Sequence, residues 1–263
     1  DVIQKSKEVW YLRITKYADK LLEGLNEVDY PDNIKQQQQH WIGKSTGAFV
    51  NFKLDNEQES LRVYTTRPDT LFGVTFMVIA PEHPLIDKYA DQIRNMDQIE
   101  AYREECAKKS EFERIEINKD KTGVKIDGLM AVNPVSGKKV PLFIADYVMI
   151  GYGTGAIMAV PAHDQRDYDF AKKFGEEIIP VIKGGDIDKE AYTGDGEMIN
   201  SDFLNGYTNK KDSIEKMIEV LEAKGIGEKG VQYKMKDWAF NRQRYWGEPI
   251  PLIHCPNCGV VAV

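Results

Sequence analysis

Ala48-Phe-Val-Asn-Phe52, Leu61-Arg-Val-Tyr-Thr65 and Val74-Thr-Phe-Met-Val-Ile79 follow one another along the chain, and their reading decides the fold. Each run is short, rich in aromatic and β-branched residues, and bounded by polar turns, so each predicts a strand. Downstream, Val124 to Val132 and Val140 to Ile144 repeat the pattern around the turn Asn133-Pro-Val-Ser-Gly137. Ala156 to Val160 and Ile178 to Ile182 predict two more strands. Helical spacing appears in three places. Trp10, Ile14, Tyr17, Leu21 and Leu25 recur at three- and four-residue steps up to the break at Val28-Asp-Tyr-Pro-Asp-Asn33. Ile86, Tyr89, Ile93, Met96, Ile99 and Tyr102 predict a second helix. Asp212 to Lys224 predicts a third, capped by Asp212 or Ser213 and ended by Gly225. Gln36 to Gln39 reads as a solvated helix face or loop. Strands outnumber helices and do not alternate with them, which argues against a doubly wound sheet. The expectation is a mixed α and β fold, with a barrel-like sheet and peripheral helices.

Composition narrows the class. The chain has 263 residues, with 42% apolar and 29% charged, which excludes a disordered or collagen-like protein. That length predicts one or two domains. No apolar run approaches the ~20 residues a membrane-spanning helix needs. The polar start, Asp1 to Trp10, does not read as a signal peptide, and the chain reads as an excised fragment. A net charge of −7 argues against a general nucleic-acid coat, so contact with a nucleic acid must be local. Three cysteines, Cys106, Cys255 and Cys258, cannot build a disulfide framework, which favours a reducing, cytoplasmic compartment.

Three segments could carry chemistry. Thr65-Thr-Arg-Pro-Asp-Thr70 gathers three hydroxyls, a guanidinium and a carboxylate in a turn made rigid by Pro68. It could line a polar pocket, or its Thr and Asp could bond only their own backbone. Gly151-Tyr-Gly-Thr-Gly155 precedes an apolar strand rather than a helix, which is the wrong context for a phosphate loop. After that strand Pro161 stops the run, and Asp164 can cap a helix carrying Phe170 and Phe174 and ending at Gly175. Asp167 falls in its first turn, so both aspartates could be caps, or one could hold a cation in a pocket. His254-Cys-Pro-Asn-Cys258 offers two zinc ligands where a structural site needs four. No Ser-His-Asp or Cys-His order stands out.

Four motifs in order resemble bacterial-type leucyl-tRNA synthetases: Trp41-Ile-Gly-Lys-Ser-Thr-Gly47, Thr65 to Thr70, Gly151 to Asp167, and Arg242-Gln-Arg-Tyr-Trp-Gly-Glu-Pro-Ile-Pro251. The related isoleucyl and valyl enzymes usually carry Trp-Trp-Gly in the last motif. The family's ATP-binding His-Ile-Gly-His and Lys-Met-Ser-Lys-Ser signatures do not occur in this chain. The resemblance therefore implies the inserted editing domain, roughly 44–232. It would be flanked by a helical stump of the catalytic core at 1–43 and a return segment at 233–263 with half of a possible zinc ribbon.

The resemblance also implies roles. The domain would hydrolyse the ester of norvalyl- or isoleucyl-tRNA(Leu), with the acceptor end of tRNA(Leu) as its partner. Asp167 would bind the α-ammonium, and Thr65, Thr66 and Asp164 would position the ester and the attacking water. Thr70 would exclude leucine, with Met158 and Val160 as apolar wall and Arg67 also binding substrate. Tyr147 to Gly153, Tyr152 included, would hold the terminal adenosine. In this family the ribose hydroxyl of the tRNA is thought to assist the water. No metal or cofactor is implied for editing; ATP and Mg belong to the full-length enzyme. A monomer without membrane contact is implied. A tRNA-docking module without turnover, and a zinc-ribbon module on Cys255 and Cys258, are the competing readings.

Overall fold

The computed structural model describes residues 8–55, 59–110, 113–114, 122–150, 153–239 and 252–262. In chain order its elements are β1 (Tyr11–Leu12), α1 (Ala18–Gly24), α2 (Asp32–Ile42), β2 (Lys44–Leu54), β3 (Ser60–Thr65), β4 (Phe76–Ile79), α3 (Pro84–Lys88), α4 (Met96–Ala107), β5 (Val124–Val132), β6 (Lys139–Ile144), β7 (Ala156–Ala159), α5 (Gln165–Phe174), α6 (Lys210–Ala223), β8 (Gly227–Tyr233), β9 (Trp238–Ala239), β10 (Leu252–Cys255) and β11 (Gly259–Ala262). They fall into two compact units, one from Ser45 to Gln232, the other comprising Val2–Lys44 and Tyr233–Val263.

The Ser45–Gln232 unit is built on one sheet in the order β3-β2-β5-β6-β4-β7, with β8 also paired to β2. Of the registered pairs only β4 with β6 is parallel, setting Met77 opposite Leu142. The strands at the two ends of this order, β3 and β7, lie side by side. No ladder joins them among the described residues. The sheet is therefore barrel-like but left open along one seam.

Alternation in β2 puts Ala48, Val50, Phe52 and Leu54 inside, facing Val63 and Leu142 in the main core. The unbroken apolar run of β4 has a different cause, because both of its faces are covered. Met77 and Ile79 join the main core, while Phe76 and Val78 face a second cluster with Phe143 and Phe170 of α5. Phe76 stacks on Phe170 at 5.1 Å, and Phe143 meets it edge-on at 5.2 Å. Each such buried ring contributes roughly 1.5–3 kcal/mol. This packing holds α5 against the sheet directly after β7, which fixes where its first turn points.

In the other unit α1 and α2 pack through Ala18, Ile42 and Met235, and β10 and β11 form a hairpin with Cys255 and Cys258 at its turn. Among the described residues no helix is long and apolar enough to cross a membrane.

Several local expectations are corrected. The helix expected from Trp10 starts late: Tyr11 and Leu12 pair with Ala239 and Trp238, and a 3-10 turn at Ile14–Tyr17 leads into α1. The Ile86–Tyr102 helix is broken into α3 and α4. Arg94 N donates to Asp127 O at 2.8 Å and Asp127 N to Asn95 Oδ1 at 2.9 Å, where β5 bulges, and these long-range bonds displace helical ones. Ile178–Ile182 forms no strand, only an isolated bridge from Ile182 to Met198. The cap of α6 is Asn209, whose side chain accepts from Lys211 N, rather than Asp212 or Ser213.

Candidate active site

The seam between β3 and β7 opens into a cavity of about 160 Å³. Thr65 and Thr66 enter it from the end of β3, and Arg67 and Thr70 from the following turn. Met158 and Val160 come from β7 and its end, and His163, Asp164 and Asp167 from the corner into α5. Two segments almost a hundred residues apart thus meet where the sheet fails to close.

On the β3 side the polar groups hold their own turn. The Thr65 hydroxyl accepts from Arg67 N at 3.0 Å, which leaves its proton available to a ligand. Thr70 directs both its N–H (3.2 Å) and its hydroxyl (2.9 Å) to the Arg67 carbonyl. Its γ-methyl is then the part free to pack. Arg67 lies back on buried Asp69, with Nε to Oδ1 at 3.0 Å and Nη2 to Oδ2 at 2.8 Å. Its charge is answered within the turn.

On the other side, Asp164 caps α5 as expected, with Oδ1 accepting from Arg166 N at 2.9 Å and Asp167 N at 3.2 Å. Arg166 also turns its guanidinium onto Asp164, 3.3 Å away. Asp167 does something else. Its carboxylate turns back to accept Val160 N at 2.8 Å, closing the N–H just past the last β7 ladder pair. Asp167 is buried, and among the described residues it forms no ion pair. Burial, reinforced by the nearby Asp164 charge, raises its pKa from 3.8 to about 7, against the opposing pull of Val160 N–H and Arg166. A cation entering the cavity would restore the ionised form.

His163 was quoted within its segment without a role, and it lines the cavity. Beside two carboxylates it invites reading as a general base, but both ring nitrogens are occupied. Nε2 accepts from Val181 N at 2.9 Å and Ile182 N at 3.1 Å, so Nδ1 carries the proton and donates to Tyr192 O at 2.8 Å. Burial lowers its pKa. It clamps the 181–192 segment to the cavity wall. The distant partners that give it this role leave no trace in the local sequence.

The remaining expected residues lie elsewhere. Tyr147 packs edge-on against Phe170 in the α5 cluster, at 6.1 Å, and does not line the cavity. Tyr152, and the motif from Arg242 to Pro251, lie outside the described residues. Among the described residues no group of three or more His, Cys, Asp and Glu is arranged to hold a metal. The cavity therefore offers one uncompensated carboxylate, adjacent hydroxyls and an apolar wall. It can bind a small organic cation and orient a polar group beside it.

Comparison with known proteins gives the family. Residues 39–222 match the family model described as leucyl-tRNA synthetase, editing domain. A leucine–tRNA ligase of Alkaliphilus oremlandii (strain OhILAs) is 56% identical over 265 residues, covering 100% of this chain and 33% of the relative. One from Elusimicrobium minutum (strain Pei191) is 56% identical over 263 residues, covering 98% of this chain and 31% of the relative. The chain thus spans about a third of the length of the curated relatives it matches. Among solved structures, the ternary complex of agnB2 LeuRS, tRNA and LeuAMS from Agrobacterium radiobacter K84 superposes with a TM-score of 0.75 at 35% identity. That match covers 97% of this chain and 28% of the solved one. With the family model matching well over half of its residues, this chain belongs to the leucyl-tRNA synthetase editing-domain family.

Proposed function

We propose that residues 44–232 form a post-transfer editing domain that hydrolyses the ester of norvalyl- or isoleucyl-tRNA(Leu), with 1–43 and 233–263 as flanks of a catalytic core. The observation that carries this reading is Asp167: a buried carboxylate that has no ion-pair partner among the described residues and faces a cavity lined by threonine hydroxyls. An aminoacyl ester brings an α-ammonium, and a charge-assisted bond to it is strong in so dry a place. Thr65, Thr66 and Asp164 orient the ester and a water, while Met158, Val160 and Thr70 size the side chain. His163 has both nitrogens engaged and is not free to act as a base. As the family resemblance implies, the tRNA ribose hydroxyl assists the water.

The need for such a site is physical. Norvaline lacks one methyl of leucine, and a missing methylene is worth only ~1–3 kcal/mol, or ~10–200-fold, in an apolar pocket. A second, hydrolytic site multiplies that discrimination. The intact enzyme, an ATP- and Mg-dependent leucine–tRNA ligase, would bring the acceptor end of tRNA(Leu) to this cavity, acting in the cytoplasm as a monomer.

The test is to incubate the chain with norvalyl-, isoleucyl- and leucyl-tRNA(Leu) and follow amino-acid release. The first two should be hydrolysed and the third spared. Equal rates for all three would remove the sieve, and binding without release would leave only a docking module.

A further inference from the structure

We propose that Gly47 is a positioning residue, and that the close approach of β2 at Gly47 sets the Thr65–Thr66 corner where its hydroxyls can meet the substrate. The proposal rests on the hydrolase reading above.

A Cβ placed on Gly47 would run into the Thr65 carbonyl oxygen, and would lie 2.8 Å from the Thr65 carbonyl carbon and 2.9 Å from Thr66 Cα. All three atoms are backbone, so no side chain can rotate away. Gly47 does not have a left-handed φ. The position therefore excludes side chains by contact alone, and an alanine there would have an ordinary backbone in the wrong amount of space.

β2 is not free to give way. Away from β3 the Ser45 hydroxyl donates to Gln232 O of β8 at 3.4 Å, and Lys53 and Leu54 pair with Val132 and Ala131 of β5; toward β3 the Tyr64 hydroxyl donates to Ser45 O at 2.8 Å. Next to Gly47, Ala48 is fully buried and pairs with Thr65 in the β2–β3 register. The corner is the yielding partner, because past Thr65 the β2–β3 register ends and the chain turns into the cavity. Ordinary carbon contacts lie at ~3.5–4.0 Å, so a methyl group at Gly47 must drive the corner inward by roughly 0.6 Å or more. Both hydroxyls would then be misplaced relative to Asp167 on the opposite wall. A displacement near 1 Å in a reacting geometry can cost about 100-fold in rate.

The experiment compares Gly47→Ala with Gly137→Ala, a glycine at φ +71° with no atom within 4 Å of its added Cβ, so that strain without contact serves as the control. Deacylation of norvalyl-tRNA(Leu) and the methyl resonances of Thr65 and Thr66 are followed in both. Gly47→Ala should lower kcat ~10- to 100-fold with KM within about twofold, and should shift both methyl signals. Gly137→Ala should lower the melting temperature and change neither. Should Gly47→Ala not fold, Tyr64→Phe releases the end of β3 from Ser45 of β2 without adding an atom at the contact, and should shift the same methyls and lower kcat several-fold. Unchanged kcat, an equal loss in the control, or unshifted methyls would overturn the proposal. If the wild-type chain hydrolyses nothing, the hydrolase reading fails, and the methyl shifts alone decide the role of Gly47.

Discussion

Asp167→Asn should make the protein more stable at pH 8 and leave its stability nearly unchanged at pH 4. In the folded state the carboxyl titrates near 7, against 3.8 when unperturbed. Below the lower value both states hold the proton and the group adds nothing to the pH dependence. Between the two values the folded chain keeps a proton that the unfolded chain has released. Stability therefore falls as pH rises from about 4 to about 7, and is flat above. A shift of roughly three units, at 1.36 kcal/mol each, amounts to about 4 kcal/mol. Asparagine keeps an oxygen for Val160 N–H but carries no charge, so it escapes this loss.

For a unit of this size 1 kcal/mol moves the melting temperature by about 2–4 °C, giving a gain on the order of 10 °C at pH 8. The assay is urea unfolding followed by far-UV circular dichroism from pH 4 to 8.5, taken as the difference between variant and wild type. Other titrating groups, His163 among them, cancel in that difference. A useful internal reference exists: Trp10, Trp41, Trp238 and Trp246 all lie outside Ser45–Gln232 in the sequence, so tryptophan fluorescence does not come from that unit. The same variant should lose norvalyl ester hydrolysis, because a neutral amide cannot pair with an ammonium. Parallel stability curves across the pH range would refute the reasoning, since Asp167 would then be an ordinary solvated or compensated carboxylate.

Thr70 separates size from hydrogen bonding: Thr70→Ser keeps the bond to Arg67 O and removes the methyl, so it should admit leucyl-tRNA(Leu), whereas Thr70→Val should keep the sieve and lose about 1 kcal/mol of stability. The ratio of leucyl to norvalyl hydrolysis is the quantity to measure, and a ratio unchanged by Thr70→Ser would assign the threonine to its turn alone. His163→Ala leaves two backbone N–H groups and one carbonyl without their partner, which at ~1–3 kcal/mol per buried group should lower the melting temperature by many degrees; a small change would show that water replaces the ring. Leucine-dependent ATP–pyrophosphate exchange by the chain should stay at background, because neither ATP signature occurs in it, and robust exchange would contradict the fragment reading. Chelation of zinc should leave deacylation unaffected, as Cys255 and Cys258 supply only two ligands; loss on chelation with recovery on added zinc would overturn this.

What the sequence by itself determined is whatever depends on near neighbours. The short runs at 48–52, 61–65, 124–132 and 140–144, most of them rich in aromatic or β-branched residues, have one good local solution, and each lies in a strand. Asp164 as cap and Gly175 as stop of α5 were legible because both act within a turn of the chain. The threonine turn and the two aspartates were legible as chemistry, and their motifs as a family. Tertiary structure decided the rest. The helix expected across Ile93 gave way because Asp127, on a bulged strand thirty residues on, supplies a better partner for Arg94 N. Asn209 took the α6 cap, and in the stretch Ile178–Ile182 the N–H groups of Val181 and Ile182 went to His163. The open seam joining Thr65 to Asp167 follows from how far a curled sheet falls short of closing. The raised pKa of Asp167 follows from burial, which no local pattern encodes. Local propensity and capping act over a few residues and can be read from them. Burial, a contact such as Gly47 against Thr65, and the partners of a buried histidine come into being only when distant segments are packed together.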